Sequence, residues 1–144
     1  MTIQAIGHDK INQLRHVRYF KDMDGVHAHM AKHAAIIRPK FEMVLDVLEK
    51  ELGGKGIAKW TKPMGGYFIA LETLEGTASK VVKMCKDAGL VLTPAGSTHP
   101  LKNDPKDNMI RIAPTFPTVA ELKEAAEVLT LCVKIASAEK LIEK

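Results

Sequence analysis

Between Val26 and Leu52 apolar residues recur every three or four positions: Val26, Met30, Ala34, Ile37, Phe41, Val44/Leu45, Leu48 and Leu52. That spacing predicts one amphipathic helix of about seven turns. Asp22 or Asp24 stands where a side-chain oxygen can accept a free first-turn N–H, and Gly53-Gly54 ends the run. Pro39 lies inside the stripe, removes one backbone donor and predicts a kink. Ahead of this helix, Asp9 leads a shorter one through Ile11, Leu14 and Val17 to about Phe20. A helix this long and bent midway predicts a connector between two bodies of protein.

Past Gly54 the pattern alternates between strand and helix. Ala58-Lys59-Trp60-Thr61 predicts a strand, Lys62-Pro63-Met64-Gly65-Gly66 a turn, and Tyr67-Phe68-Ile69-Ala70-Leu71 a second strand. A helix is expected over Thr77–Ala88, stopped by Gly89. Leu90-Val91-Leu92-Thr93 predicts a third strand, residues 94–108 a long loop, and Met109-Ile110-Arg111-Ile112-Ala113 a fourth strand. Thr118-Val119-Ala120-Glu121 is a capping box opening a last helix, with Leu122, Ala126, Leu129, Val133 and Ala136 on one face. The expected fold is an α/β (α+β) two-layer sandwich: a short, mostly antiparallel sheet covered by helices, with a long kinked N-terminal connecting helix. Loops longer than about 12 residues without structure of their own are uncommon and often functional, which singles out residues 94–108.

Arg111 interrupts what otherwise reads as a buried strand. Period-two alternation puts it on one face with Met109 and Ala113, opposite Ile110 and Ile112. A guanidinium stays charged at any working pH, so that face must meet a cleft or a carboxylate rather than a dry core. Only four of the twenty-one basic residues are arginine. Planar, two-pronged anion recognition and a structural ion pair are both open on spacing alone.

Other constellations carry less. The 144 residues fit one domain. A net charge of +4 raises nucleic-acid binding, but the lysines alternate with acidic residues, as in Glu49-Lys50-Glu51, and read as a solvated surface. Cys85 and Cys132 fall among Val, Met and Leu in helical patterns, as core thiols of a reducing compartment. No charged leader precedes an apolar segment and no apolar run approaches a membrane span, so a cytoplasmic protein is expected. His29 and His33 share a helix face while His27 lies well round it, and no metal-binding H-E-x-x-H pattern is formed. Ser137-Ala138-Glu139-Lys140 lacks partner motifs, and Gly65-Gly66 precedes a strand, not the helix a dinucleotide fingerprint needs.

Pro63-Met64-Gly65-Gly66-Tyr67-Phe68, then the run from Ala88 to Gly96 (Ala-Gly-Leu-Val-Leu-Thr-Pro-Ala-Gly), then Ile110-Arg111-Ile112-Ala113 stand in this order. Together they resemble the C-terminal small domain of class I, fold-type-I, pyridoxal-phosphate-dependent aminotransferases, in the bacterial aspartate-aminotransferase-like branch. The segments Ile6 to His16 and Leu131-Cys132-Val133-Lys134 are similar to that branch too. The resemblance implies three regions: residues 1–24 as the end of a large domain, 25–52 as the connecting helix, and 53–144 as the small domain. It implies amino transfer between an amino acid, aspartate or glutamate in type, and a 2-oxo acid. Arg111 would hold the substrate α-carboxylate. Ile6 and Gly7 would approach the cofactor site of the neighbouring subunit in a homodimer. Pyridoxal phosphate would be carried by a lysine of a large domain upstream of this chain, so no catalytic residue and no covalent cofactor are expected here, and the chain alone would be inactive. Neither a metal, a nucleic acid nor a membrane is an expected partner. Two further readings are an aminotransferase-like effector or dimerisation domain of a transcriptional regulator, and a free-standing dimerisation or small-ligand module.

Overall fold

In the computed structural model, which describes residues 7–143, the chain forms two compact units, Met1–Arg38 and Pro39–Lys144. In the first, α1 (Lys10–Phe20) starts where the Asp9 carboxylate accepts the Asn12 N–H at 3.0 Å. Asp22, rather than Asp24, caps α2 (Met23–Leu52), accepting the Gly25 N–H at 2.9 Å. A Cβ on Gly25 would stand 1.8 Å from the Phe20 carbonyl oxygen, so the tight turn between the helices closes only around glycine. No residue of α1 is buried: Ile11, Leu14 and Val17 are all exposed. Tyr19 and Phe20 meet His29 edge-on, and the His29 and His33 rings lie 4.5 Å apart.

The α2 helix continues through Pro39, and every one of its buried residues follows that proline: Phe41, Val44, Val47, Leu48 and Leu52. Of the earlier stripe positions, Val26, Ala34 and Ile37 are half-buried and Met30 is exposed. The pattern drew one continuous face, but it is a core face only within the second unit.

That unit holds a three-stranded antiparallel sheet in the order β1 (Ala58–Trp60), β2 (Ile69–Thr73), β3 (Met109–Ile112). Ile69 pairs with Ile112 and Leu71 with Ile110, all buried on one face. The alternate pairs, Ala70 with Arg111 and Glu72 with Met109, occupy the other face. The first face packs into a core with Leu48 and Leu52 of α2, with Val81 and Cys85 of α3 (Ala78–Asp87), and with Leu129, Val133 and Ala136 of α4 (Val119–Ile142). This is the expected two-layer arrangement. The face predicted for the closing helix is buried throughout, and the capping box is formed: Thr118 Oγ1 accepts the Glu121 N–H while Glu121 accepts the Thr118 N–H.

Two strand expectations are corrected. The second strand starts at Ile69, leaving Tyr67 and Phe68 in the turn, and it extends to Thr73. Leu90–Thr93 forms no strand. Gly89, with φ of +88°, ends α3 by placing its own N–H on the Lys86 carbonyl and the Leu90 N–H on Cys85. One of the four amides is thus spent on the helix end, and Pro94 closes the segment without a donor.

Candidate functional site

The loop between residues 94 and 108 is built around two aspartates. Asp104 has a buried side chain, only 4 % exposed. Its Oδ1 accepts the Lys106 N–H at 3.1 Å, and its Oδ2 accepts those of Asn108 at 2.9 Å and Met109 at 3.0 Å. The His99 ring lies 3.8 Å away. Burial opposes ionisation, but the Met109, Asn108 and Lys106 amides, helped by His99, outweigh it and hold the carboxyl below its usual range. Asp107 serves the neighbouring helix: its Oδ1 accepts both the N–H and the hydroxyl of Ser79, and its carbonyl accepts the Thr77 and Ala78 amides. Leu101, Lys102 and Asp107 of this loop lie in left-handed backbone, which L-residues rarely adopt. The C-terminal part of the loop is therefore tied to α3 and to the start of β3.

Two residues beyond Met109's anchor, β3 presents Arg111. The guanidinium is half-buried and its carbon sits 4.5 Å from the centroid of the Phe68 ring. The register explains the contact. Ala70 stands directly opposite Arg111, and Phe68 lies two residues before it, diagonal to Arg111. A small side chain at 70 leaves the guanidinium room to lean onto the ring. Nε of Arg111 is buried and has no hydrogen-bond partner. No carboxylate comes within ion-pair distance of Arg111 among the described residues. Of the two readings left open by spacing, the internal ion pair is absent there.

Arg111 is among the residues lining a mostly apolar hollow of about 160 Å³, with Leu90, Leu92, Thr93, Pro114 and Leu129. After β3 the chain turns sharply, with Pro114 buried and Phe116 95 % exposed. Lys40 Nζ fixes that turn by donating to the carbonyls of Thr115 at 2.8 Å and Phe116 at 3.3 Å. A planar cation with no acceptor among the described residues can hold a carboxylate.

The sequence reading found Arg111 but not its partner ring, whose contact depends on strand register. It did not find Asp104 either, although Asp104-Pro105 is a turn signal. Gly7 is exposed, and Ile6 lies outside the described residues. No group of three or more His, Cys, Asp or Glu residues able to hold a metal occurs among the described residues. No helix there is long and apolar enough to cross a membrane.

The whole chain, residues 1–144, matches the family described as aspartate amino-transferase. An aspartate aminotransferase of Corynebacterium glutamicum is 50 % identical over 137 residues, covering 95 % of this chain and 32 % of that protein. The solved structure of an aspartate transaminase from the same species superimposes with a TM-score of 0.90 at 49 % identity, over 96 % of this chain and 32 % of that one. An α-aminoadipate aminotransferase of Thermus thermophilus, at 20 % identity and a TM-score of 0.68 over 81 % of this chain and 29 % of its own, shares the fold. The chain thus spans about a third of the length of these relatives. Family match, high identity and common architecture agree with the motifs read from the sequence: this chain belongs to the aspartate amino-transferase family.

Proposed function

We propose that this chain is the substrate-gripping C-terminal small domain of a pyridoxal-phosphate-dependent aminotransferase that moves an amino group between an aspartate- or glutamate-type amino acid and a 2-oxo acid. Arg111 clamps the α-carboxylate. The single observation supporting this most strongly is a half-buried guanidinium that has no acceptor among the described residues and borders a recess. Ionised groups left without partners in such places cost several kcal/mol, about 2–5 for one side of a buried pair, so they are kept for a ligand. A bidentate grip on the α-carboxylate fixes the amino acid so that the bond to be broken at Cα can be oriented.

The residues around Arg111 do not by themselves fit the cofactor. Among the described residues, the hollow is lined by no lysine to carry it and no carboxylate to face a pyridine nitrogen. In this reading those groups belong to a large domain, with residues 1–24 at its end, 25–52 connecting and 53–144 forming the small domain. The exposed apolar face of α1 supports cover by further protein. The opening loop at Ile6 and Gly7 would reach the neighbouring subunit's cofactor site in a cytoplasmic homodimer.

The test is kinetic. In the full-length enzyme, Arg111→Ala should weaken amino-acid binding by about 2–5 kcal/mol, with Arg111→Lys only partly restoring it, because lysine lacks two parallel donors. Unchanged kinetics in both variants removes Arg111 from the site.

A further inference from the structure

Phe68 lies outside the sheet and is 48 % exposed, yet the guanidinium carbon of Arg111 sits over its ring, 4.5 Å from the centroid. A guanidinium donates hydrogen bonds only in its own plane, whereas an aromatic ring attracts it through its face. The two demands are perpendicular, so a stacked ring holds the plane without occupying a donor. It also shields one face of the cation from water, which strengthens any ion pair made at its edge.

The nitrogens are not equivalent. Nε is buried and unpartnered, so a ligand reaches the two terminal nitrogens instead. A carboxylate meeting both of them must approach end-on and coplanar with the guanidinium. The plane set by Phe68 therefore sets the plane of the incoming carboxylate. The backbone supports this by design: Ala70, directly opposite Arg111, leaves the diagonal path from Phe68 clear.

We propose that Phe68 is a positioning residue for Arg111, fixing the guanidinium plane so that its terminal nitrogens receive a substrate carboxylate end-on. This rests on the reading of Arg111 as the carboxylate clamp. It adds that the clamp's geometry is imposed by stacking from the turn before β2, not by hydrogen bonds from a second side chain. Ligands presenting a planar carboxylate are favoured by this arrangement.

The experiment measures equilibrium binding of 2-methylaspartate, which lacks the Cα–H and cannot turn over, to the full-length enzyme carrying Phe68→Leu, Phe68→Tyr, Arg111→Ala and the Phe68→Leu/Arg111→Ala pair. Leu keeps apolar bulk but has no ring face. Phe68→Leu should weaken binding about three- to thirty-fold, Phe68→Tyr should bind like the parent, and Phe68→Leu should add nothing once Arg111 is Ala. If Phe68→Leu binds normally while Arg111→Ala loses affinity, the positioning role is overturned and the clamp stands. If neither substitution matters, the clamp itself fails. An equal loss from Phe68→Leu in both backgrounds shows a ring acting independently of Arg111 and also overturns the proposal. Nitrogen-15 spectra of the Arg111 side chain give a second readout: a ring-current shift of Nε–H is expected in the parent and absent in Phe68→Leu, and its absence from the parent refutes the stacking.

Discussion

Replacing Asp104 tests whether one buried carboxylate organises the approach to β3. Its two oxygens take three backbone N–H groups. The Lys106 amide belongs to an exposed residue that water can satisfy, whereas Asn108 is buried and Met109 half-buried. Each donor left without an acceptor there costs about 1–3 kcal/mol. Removing the carboxylate also relieves its own burial, which opposes the charged form, so Asp104→Ala should destabilise the fold by a net of about 2–4 kcal/mol. The pH dependence separates charge from shape. The folded carboxyl sits below its usual range, so its contribution is complete above the unfolded value of about 3.9 and is lost as pH falls through the folded value. Urea unfolding of the parent and of Asp104→Asn, repeated from neutral to acidic pH, reads this directly. The stability gap between the two should be constant near neutrality and close in acid. A gap that persists unchanged into strongly acidic solution, or an Asp104→Ala variant within about 0.5 kcal/mol of the parent, refutes the reasoning.

Other consequences follow from the core and its caps. Gly89→Ala forces an L-residue into left-handed backbone at φ of +88° and should cost about 1–2 kcal/mol in thermal or urea unfolding, with little change in native spectra. Cys85 is pushed up to about 12, by burial first and by the adjacent Cys132 thiol next. The fold thus favours the neutral thiol, so this contribution is intact below the free-thiol range of about 8.5 and lost as pH rises above it. Iodoacetamide at mildly alkaline pH should label Cys85 only as fast as the chain opens; rapid stoichiometric labelling of the native chain contradicts the burial. Leu48→Ala, at a fully buried position, should cost about 2–5 kcal/mol by calorimetry, and a cost near zero places Leu48 outside the core.

What the sequence revealed was local. Helix starts at Asp9 and Thr118 were legible because a cap joins residues three positions apart. The strand carrying Arg111 was legible because alternation needs only five residues. Leu90–Thr93 was misread because an apolar run becomes a strand only when a partner edge takes its amides, and here a helix cap takes the first of them. The Phe68 contact was hidden for the same reason, since it depends on where distant backbone returns; the Asp104 bonds are local, but no periodicity marks a loop carboxylate that takes amides two to five residues on. The apolar stripe of α2 showed the opposite error, since periodicity reports a face able to be buried and not what buries it.

The account depends on Arg111 meeting a ligand carboxylate rather than a group of its own chain. A crystal structure of the full-length enzyme with 2-methylaspartate bound measures this most directly. The ligand's α-carboxylate should lie about 2.7–2.9 Å from both terminal nitrogens of Arg111, coplanar with the guanidinium, under the Phe68 ring. A carboxylate bound elsewhere, or Arg111 closed onto an internal acid, contradicts it.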